Sequence, residues 1–362
     1  MNKLKSVISI VLVLLLMFSF TGCLHKQNEI AVEVGNTKFT SAQYSYALFN
    51  ADSEARALVD EQLAKDETKT TDTQVDYYSQ KIDDTDFVTW VENRAIETLS
   101  KFAAYEQLFA EAGLTLTDEE KAEVKSYAEY YYSYYQAMME PNGIGQETYT
   151  KMLTYDNYSS KYFSHLYGKE GSKAIPAEDI NKAFSESYRV VLILQTDITQ
   201  SKEEEIAKAK ENLEKYKKDL VKGKSIVDAY NEFNGLTEET EKQGTGAPIK
   251  EKLEAVSILS DPDFDSNYGV EFWKDIKDIE AGKAEVLEAT EGSTKYLRLV
   301  YVVNTEKDET PYVDEMDMSI RWALKAEEYE ADISAYAAGL KVIKHKYAMS
   351  AFDVKKISYG EQ

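Results

Sequence analysis

The sequence predicts an α+β protein that is mainly helical, with a discontinuous helical domain and a small α/β unit inserted into it. Three observations predict this. Prolines and glycines number only 5 and 16 in 362 residues, while alanine, glutamate, lysine and tyrosine abound, a composition that favours helix. Apolar residues recur at helical spacing over long stretches between 86 and 167 and again from 314 to 344. Between them, at 188–305, branched and alternating runs replace that spacing.

The chain opens with Lys3 and Lys5, an uncharged run from Val7 to Phe20, and small residues before Cys23, its single cysteine. Charged, then apolar, then small is the order of a secretory signal, and the run is short for a bilayer span. With Thr21-Gly22 in front of it, Cys23 is similar to the lipid-accepting cysteine of bacterial lipoproteins. That resemblance implies a leader at 1–22, lipidation at Cys23 and a tether at 23–29. The alternative is an ordinary secretory signal with Cys23 a bystander. Removing 1–22 takes two lysines and no acid, moving the formal charge from −23 to −25. So acidic a chain is repelled by nucleic acid and by anionic head groups, so membrane attachment would come from the lipid.

Ile30-Ala31-Val32-Glu33-Val34 alternates as a strand, Gly35-Asn36 turns it, and Lys38-Phe39 begins the return. Thr40 or Ser41 caps a helix carrying Tyr44, Leu48 and Phe49. The stretch 61–85 is polar. From Asp86, Trp90, Val91, Ile96, Leu99, Phe102, Ala103, Leu108 and Phe109 mark a helix that Gly113 closes. Thr117-Asp118-Glu119-Glu120 opens the next, a cap followed by acids suited to the positive helix end. It continues through six tyrosines between Tyr127 and Tyr135 to a break at Pro141-Asn142-Gly143. Further helices are expected from Gln146 to Tyr167 and from Ala177 to about Tyr188.

Arg189 to Leu194 reads as a buried strand. Helices follow at 202–222 and 225–233, then a loop from Leu236 to Pro248, a helical turn or two at 272–280 and an alternating strand at 295–303. A long apolar stripe, Trp322, Leu324, Tyr329, Ile333, Tyr336, Leu340 and Ile343, marks a last helix from about 314 to 344. It has no partner in its own segment, and the helix of Trp90 to Phe109 is the expected one.

This order resembles the foldase lipoprotein and periplasmic chaperone family of the PrsA and SurA type. The resemblance covers most of the mature chain. It is carried by Ile30 to Thr40, by Ala95-Ile96-Glu97-Thr98-Leu99 through Leu114 to Glu120, and by Pro176-Ala177-Glu178-Asp179-Ile180. It implies a SurA-like chaperone domain at 30–187 completed by 306–362, and a parvulin-type prolyl isomerase domain at 188–305. Gly223 to Val227, Val270-Glu271-Phe272 and Glu280 to Val286 carry the parvulin likeness. Parvulins place histidines in the first and last strands with a thiol or acid nearby. Here those positions fall near Val191, Leu297 and Gly235, none of which is polar, while Phe272 remains as a pocket wall. Without those hydrogen bonds a pocket would hold proline yet stabilise the twisted amide poorly.

Other chemistry finds little support. His25, His165 and His345 form no ligand motif and no cofactor or metal is expected. No Gly-x-Ser-x-Gly occurs, and Gly244-Thr245-Gly246 lacks the rest of a phosphate loop. The six tyrosines cannot share one helix face, so some pack and others reach solvent. Tyr127, Tyr130, Tyr131 and Tyr134 are the candidates for holding unfolded chains, against the alternative of helix–helix packing. The expectation is a lipid-anchored extracytoplasmic holdase or foldase whose partners are unfolded secreted proteins and the membrane reached through Cys23. Nucleic acid is excluded, and a homodimer is compatible with this reading. Its rivals are an active parvulin-type isomerase and a solute-binding or adhesion lipoprotein; the second should show repeated β-α units in two lobes.

Overall fold

The computed structural model describes residues 28–65, 75–266, 273–305 and 310–360. The expected leader, Cys23 and Phe272 lie outside them. The chain divides into two compact units, one running to Leu166 and resuming at Glu327, the other Tyr167–Ala326.

In the first unit, β1 (Ile30–Val34) and β2 (Thr37–Thr40) form an antiparallel hairpin. Its turn needs Gly35, whose φ is +57° and whose absent Cβ would stand 2.6 Å from Gln107 Oε1. Helix α1 (Ser41–Ala64) starts on a capping box in which Thr40 and Gln43 satisfy each other's backbone N–H groups. A tight hairpin, β3 (Lys81–Ile82) and β4 (Thr85–Asp86), turns at Asp83 and Asp84, both with positive φ. Helix α2 (Phe87–Glu111) buries Phe87, Val91, Ala95, Leu99 and Ala103 at four-residue intervals, and Gly113 beyond it takes φ +70°.

Helix α3 (Asp118–Met139) begins on a second capping box, Thr117 with Glu120. Helix α4 (Gln146–Tyr167) buries Tyr149, Met152, Tyr155, Ser159 and Phe163 along one stripe. Tyr155 lies face to face with Phe102 at 5.0 Å and tilts against Phe39 at 5.8 Å, so α4 closes over both α2 and the hairpin.

The second unit holds α5 (Ala177–Ser187) and an antiparallel sheet of β5 (Tyr188–Asp197), β6 (Ser257–Ser260), β7 (Ala284–Glu291) and β8 (Thr294–Val302), in the order β6-β5-β8-β7. Between strands lie α6 (Glu203–Val221), α7 (Ile226–Phe233) and the short α8 (Glu238–Lys242), α9 (Lys252–Ala255) and α10 (Trp273–Ile276). One face of the sheet packs Leu192, Leu194, Leu297 and Leu299 on Leu213, Tyr216 and Leu220 of α6. The other packs Val191, Val300, Val302 and Leu259 on Trp273 and Ile276. Alternation along β5 and β8 makes both faces apolar, so the sheet is covered on both sides.

Helix α11 (Thr310–Gly339) serves both units. Up to Ala326 it buries Tyr312, Val313, Met316 and Ile320, and its Arg321 guanidinium, 2% exposed, grips Asp317 and donates to the Tyr167 carbonyl at 2.8 Å. From Glu327 on, the first unit gains Tyr329, Ile333 and Ala337 as buried residues. There Lys101 Nζ and Tyr105 Oη of α2 both donate to Glu330, and Tyr336 Oη donates to Glu111 at 2.8 Å.

The expected last helix ends early. After Gly339 the chain forms β9 (Val342–Lys344), which pairs with β1, and then α12 (Lys346–Met349). Ile343 is therefore a strand residue, and Trp322 and Leu324 are each 37% exposed, outside the buried stripe. The polar stretch 61–85 contains β3, the expected loop from Leu236 to Pro248 contains α8, and β6 and β7 fall where the sequence marks no element.

Candidate functional site

Helix α3 sorts its tyrosines by phase. Val124, Ala128, Tyr132 and Met139 face inward, and Tyr132 donates its hydroxyl to the Ile144 carbonyl at 2.9 Å. Positions three and four apart share a helix face, so Tyr127, Tyr130 and Tyr134 stand together on the outside, 52, 58 and 64% exposed. Tyr131 is half-buried and joins them, its ring 4.3 Å from that of Tyr127 and edge-on to Tyr130 at 5.1 Å. Tyr134 packs against Tyr130 at 5.1 Å and donates its hydroxyl to it at 3.1 Å. That bond raises the Tyr134 hydroxyl above its ordinary range, and the partnership with Tyr127 raises Tyr131. The result is a ladder of rings in mutual contact, flanked by Glu123, Lys125 and Glu129, that offers apolar faces and hydroxyl donors to whatever lies against it. All four client-binding candidates thus fall on one stripe, and Tyr132 of the same run is core.

Large exposed rings held by one another lose little further freedom on contact with a partner. Nothing in the ladder is set up for covalent chemistry. Among the described residues no group of His, Cys, Asp and Glu is arranged to hold a metal ion. His345 Nε2 lies 2.8 Å from Glu33 Oε1, bracing β9 against β1, and His165 stacks near Tyr162.

In the second unit the three parvulin positions do not converge. Val191 and Leu297 are both buried but on opposite faces of the sheet, because Val191 pairs with Val302 whereas Leu297 pairs with Thr196. Gly235 ends α7 with φ +65° and has nothing within 4 Å of where a Cβ would be. The Val191 face does carry a polar group, one the sequence reading missed. Arg298, on β8 in register with Gln195, donates from Nε to Gln195 at 2.9 Å and from Nη2 to Glu291 at 2.6 Å, with its guanidinium over Tyr296. The signal for it was an arginine inside Tyr296-Leu297-Arg298-Leu299-Val300. Two cavities open in this unit. One, of about 420 Å³, is lined by Ile175, Ile180, Val313 and Arg321. The other, of about 520 Å³, is lined by Phe184, Tyr188, Arg189, Ile279 and Val303.

No family model matches the chain, and no curated protein matches it either. Among solved structures it is similar to the foldase protein PrsA from Streptococcus pneumoniae str. Canada MDR_19A, at 15% identity over 71% of this chain and 88% of that one, with a TM-score of 0.37. It is also similar to the foldase protein PrsA from Lactococcus lactis, at 13% identity over 91% of this chain and 99% of that one, with a TM-score of 0.38.

Proposed function

We propose that this chain is a lipid-anchored, extracytoplasmic folding factor that holds unfolded secreted proteins on the unit containing α3. The observation that carries the reading is the ladder of Tyr127, Tyr130, Tyr131 and Tyr134, three of them more than half exposed in a chain of formal charge −23. Contiguous exposed rings on an otherwise charged surface suit a partner with apolar segments rather than a small polar solute. The acids around the ladder keep the protein soluble and favour clients with basic and aromatic stretches. The resemblance of the opening hairpin, of Ala95 to Glu120 and of Pro176 to Ile180 to PrsA and SurA proteins supports the same reading. So does the apolar run before Cys23, which would put the lipid at that residue. Among the described residues no helix is long and apolar enough to cross a membrane.

Residues 188–305 serve in this reading as a parvulin-like lobe that contacts proline-containing segments without turning them over. The support is that the matched positions are valine, leucine and glycine, which offer no hydrogen bond to a twisted amide. Losing one such donor typically costs about a hundredfold or more in rate.

Aggregation of a reduced, unfolding client, followed by light scattering, tests the holdase reading beside the rate of isomerisation of a proline-containing tetrapeptide. The intact protein should suppress scattering and leave isomerisation near its uncatalysed rate. Replacing Tyr127, Tyr130 and Tyr134 together by serine should abolish most of the suppression while leaving the melting temperature nearly unchanged. Full suppression by that variant would remove the ladder from the mechanism, and rapid isomerisation would make the second unit an enzyme.

A further inference from the structure

The last described residues, Ile357 to Gly360, lie in a groove whose walls belong to the body of the first unit. The turn after α3 supplies Asn142, which is 5% exposed. Its side-chain amide receives the Ser358 N–H on Oδ1 at 2.9 Å and donates from Nδ2 to the Ser358 carbonyl at 2.6 Å. One amide thus satisfies both backbone groups of one residue, as a neighbouring β-strand would, and does so whatever side chain that residue carries. Asn142 is itself fixed, because Ser45 Oγ donates to its carbonyl at 2.6 Å and its Nδ2 also donates to Met138 O at 2.7 Å.

On either side of Ser358 the groove reads side chains. Ile357 enters the apolar cluster of Phe49, Met139 and Ile144. Tyr359 enters a box made by Phe49, at 5.2 Å between rings, and by the Arg56 guanidinium, 5.1 Å from its ring. At the bottom of the box the Tyr359 hydroxyl donates to Asp52 Oδ2 at 2.5 Å, and Arg56 Nε donates to the same oxygen at 2.6 Å. Tyr77 and Tyr78 hold Arg56 from the other side, with its guanidinium 4.5 and 5.7 Å from their rings. Asp52 is fully buried, yet its Oδ1 has no hydrogen-bond partner among the described residues. The carboxylate is therefore incompletely served by the tail that covers it, which makes the docked state costlier than its contacts suggest. Beyond Ile357 the groove continues as a cavity of about 280 Å³ between Leu48, Pro141 and Phe352.

We propose that this groove is a peptide-binding site and that the Ile357–Gly360 tail is its built-in occupant. Its ligand is an extended polypeptide segment with an aliphatic residue two positions before a tyrosine, the pattern the tail itself presents. Backbone recognition by Asn142 gives tolerance of sequence, and Asp52 with Arg56 selects a phenol over a plain phenyl ring. The tail then acts as a tethered competitor that keeps the groove covered until a client segment displaces it. Tyr131 of the ladder packs on the same apolar cluster as Ile357 and Tyr359, whereas Tyr127, Tyr130 and Tyr134 stand outside it, and only the identity of the natural occupants rests on the folding-factor reading.

The test uses a chain ending at Lys356, which keeps the buried Val354, and a fluorescein-labelled hexapeptide of residues 355–360. Fluorescence anisotropy should show one peptide bound per truncated chain and at least tenfold weaker binding to the full chain. Asn142→Ala in the truncated chain, and Tyr359→Ala in the peptide, should each weaken binding at least tenfold. Should truncation unfold the protein, Ser358→Pro in the full chain removes the N–H that Asn142 accepts and loosens the tail, and peptide uptake should then appear. A folded, tail-loosened chain that takes up no peptide would overturn the proposal. So would uptake indifferent to Asn142→Ala and Tyr359→Ala, tail exchange between two copies with no uptake of free peptide, or unfolding of both tail variants, which would make the tail part of the core. Aggregation suppression by the serine variant of the ladder is a separate readout, so the two readings fail independently.

Discussion

Tyr329 offers a direct test of whether the second half of α11 is structural core of the first unit. It is fully buried, its hydroxyl donates to the Ser159 carbonyl at 3.0 Å and lies 3.1 Å from Ser159 Oγ, and its ring meets Phe163 edge-on at 5.3 Å. Tyr329→Phe keeps the ring and removes the hydroxyl's bonds to Ser159, a loss of about 1–2 kcal/mol. Tyr329→Ala also leaves a cavity the size of a phenol among rigid aromatic neighbours, and aromatic-to-alanine changes in cores cost about 3–5 kcal/mol. A domain of this size shifts its melting temperature by about 2–4 °C per kcal/mol. The two variants should therefore melt roughly 2–8 °C and 6–20 °C below the parent, as followed by near-ultraviolet circular dichroism. Tyr134→Ser, on the exposed ladder, should stay within about 0.5 kcal/mol of the parent. A Tyr329→Ala protein that melts like the parent would refute the placement of this helix in the core, whatever the helicity of the chain.

Glu120 provides a pH test. Lys161 at 2.6 and 2.7 Å and the Thr117 N–H at 2.6 Å hold its carboxyl below the usual 4.5. A depressed carboxylate stabilises the fold above its unfolded value and loses that contribution as pH falls through the folded one. Glu120→Gln should therefore lower the melting temperature at pH 7, with the difference shrinking as the pH falls below 4.5; an equal difference at pH 7 and in acid would refute this. Cys23→Ala should leave an unprocessed precursor or shed the protein into the medium, as read by gel mobility and fractionation of cells. A variant that is processed and retained as before would remove the anchor.

Much of the fold was legible because its signals are local. Helices α2 and α4 announce themselves by apolar spacing, and both capping boxes are written in neighbouring residues: Thr40 with Gln43, Thr117 with Glu120. The illegible parts are those whose partners are far away or whose segments are short. β3 and β4 have two residues each and turn on two aspartates with positive φ, a conformation that only a few per cent of non-glycine residues adopt, aspartate more than most. β6 is an edge strand of four residues defined only by pairing with β5. Ile343 continued the apolar spacing of Ile333, Tyr336 and Leu340 past Gly339, a single glycine that helices tolerate as well as end on; β1, some 310 residues earlier, claimed Val342 to Lys344 as a strand.

The candidate sites divide the same way. The density of tyrosines in α3 is visible in the sequence, and helical phase then places Tyr127, Tyr130 and Tyr134 on one side. Tyr132 falls in phase with the buried Val124 and Ala128, and the tertiary structure supplies the Ile144 carbonyl that its buried hydroxyl needs. The opposite facing of Val191 and Leu297 follows from the register of β5 on β8, since a shift of one residue moves a side chain to the other face.

By itself the sequence determined where the long helices lie and where two of them are capped, that the chain is acidic and that its single cysteine stands behind an apolar run. These are properties of neighbours, fixed by steric and hydrogen-bonding preferences within about four residues. Only the tertiary structure decided that Asn142 and Asp52 grip the tail at Ser358 and Tyr359, that Lys101 and Glu111 meet α11, and that Arg298 sits on the Val191 face. Those contacts join residues separated by up to about three hundred positions, or lie on faces set by strand register. Their energy exists only once burial of the intervening chain has met the entropy of bringing them together.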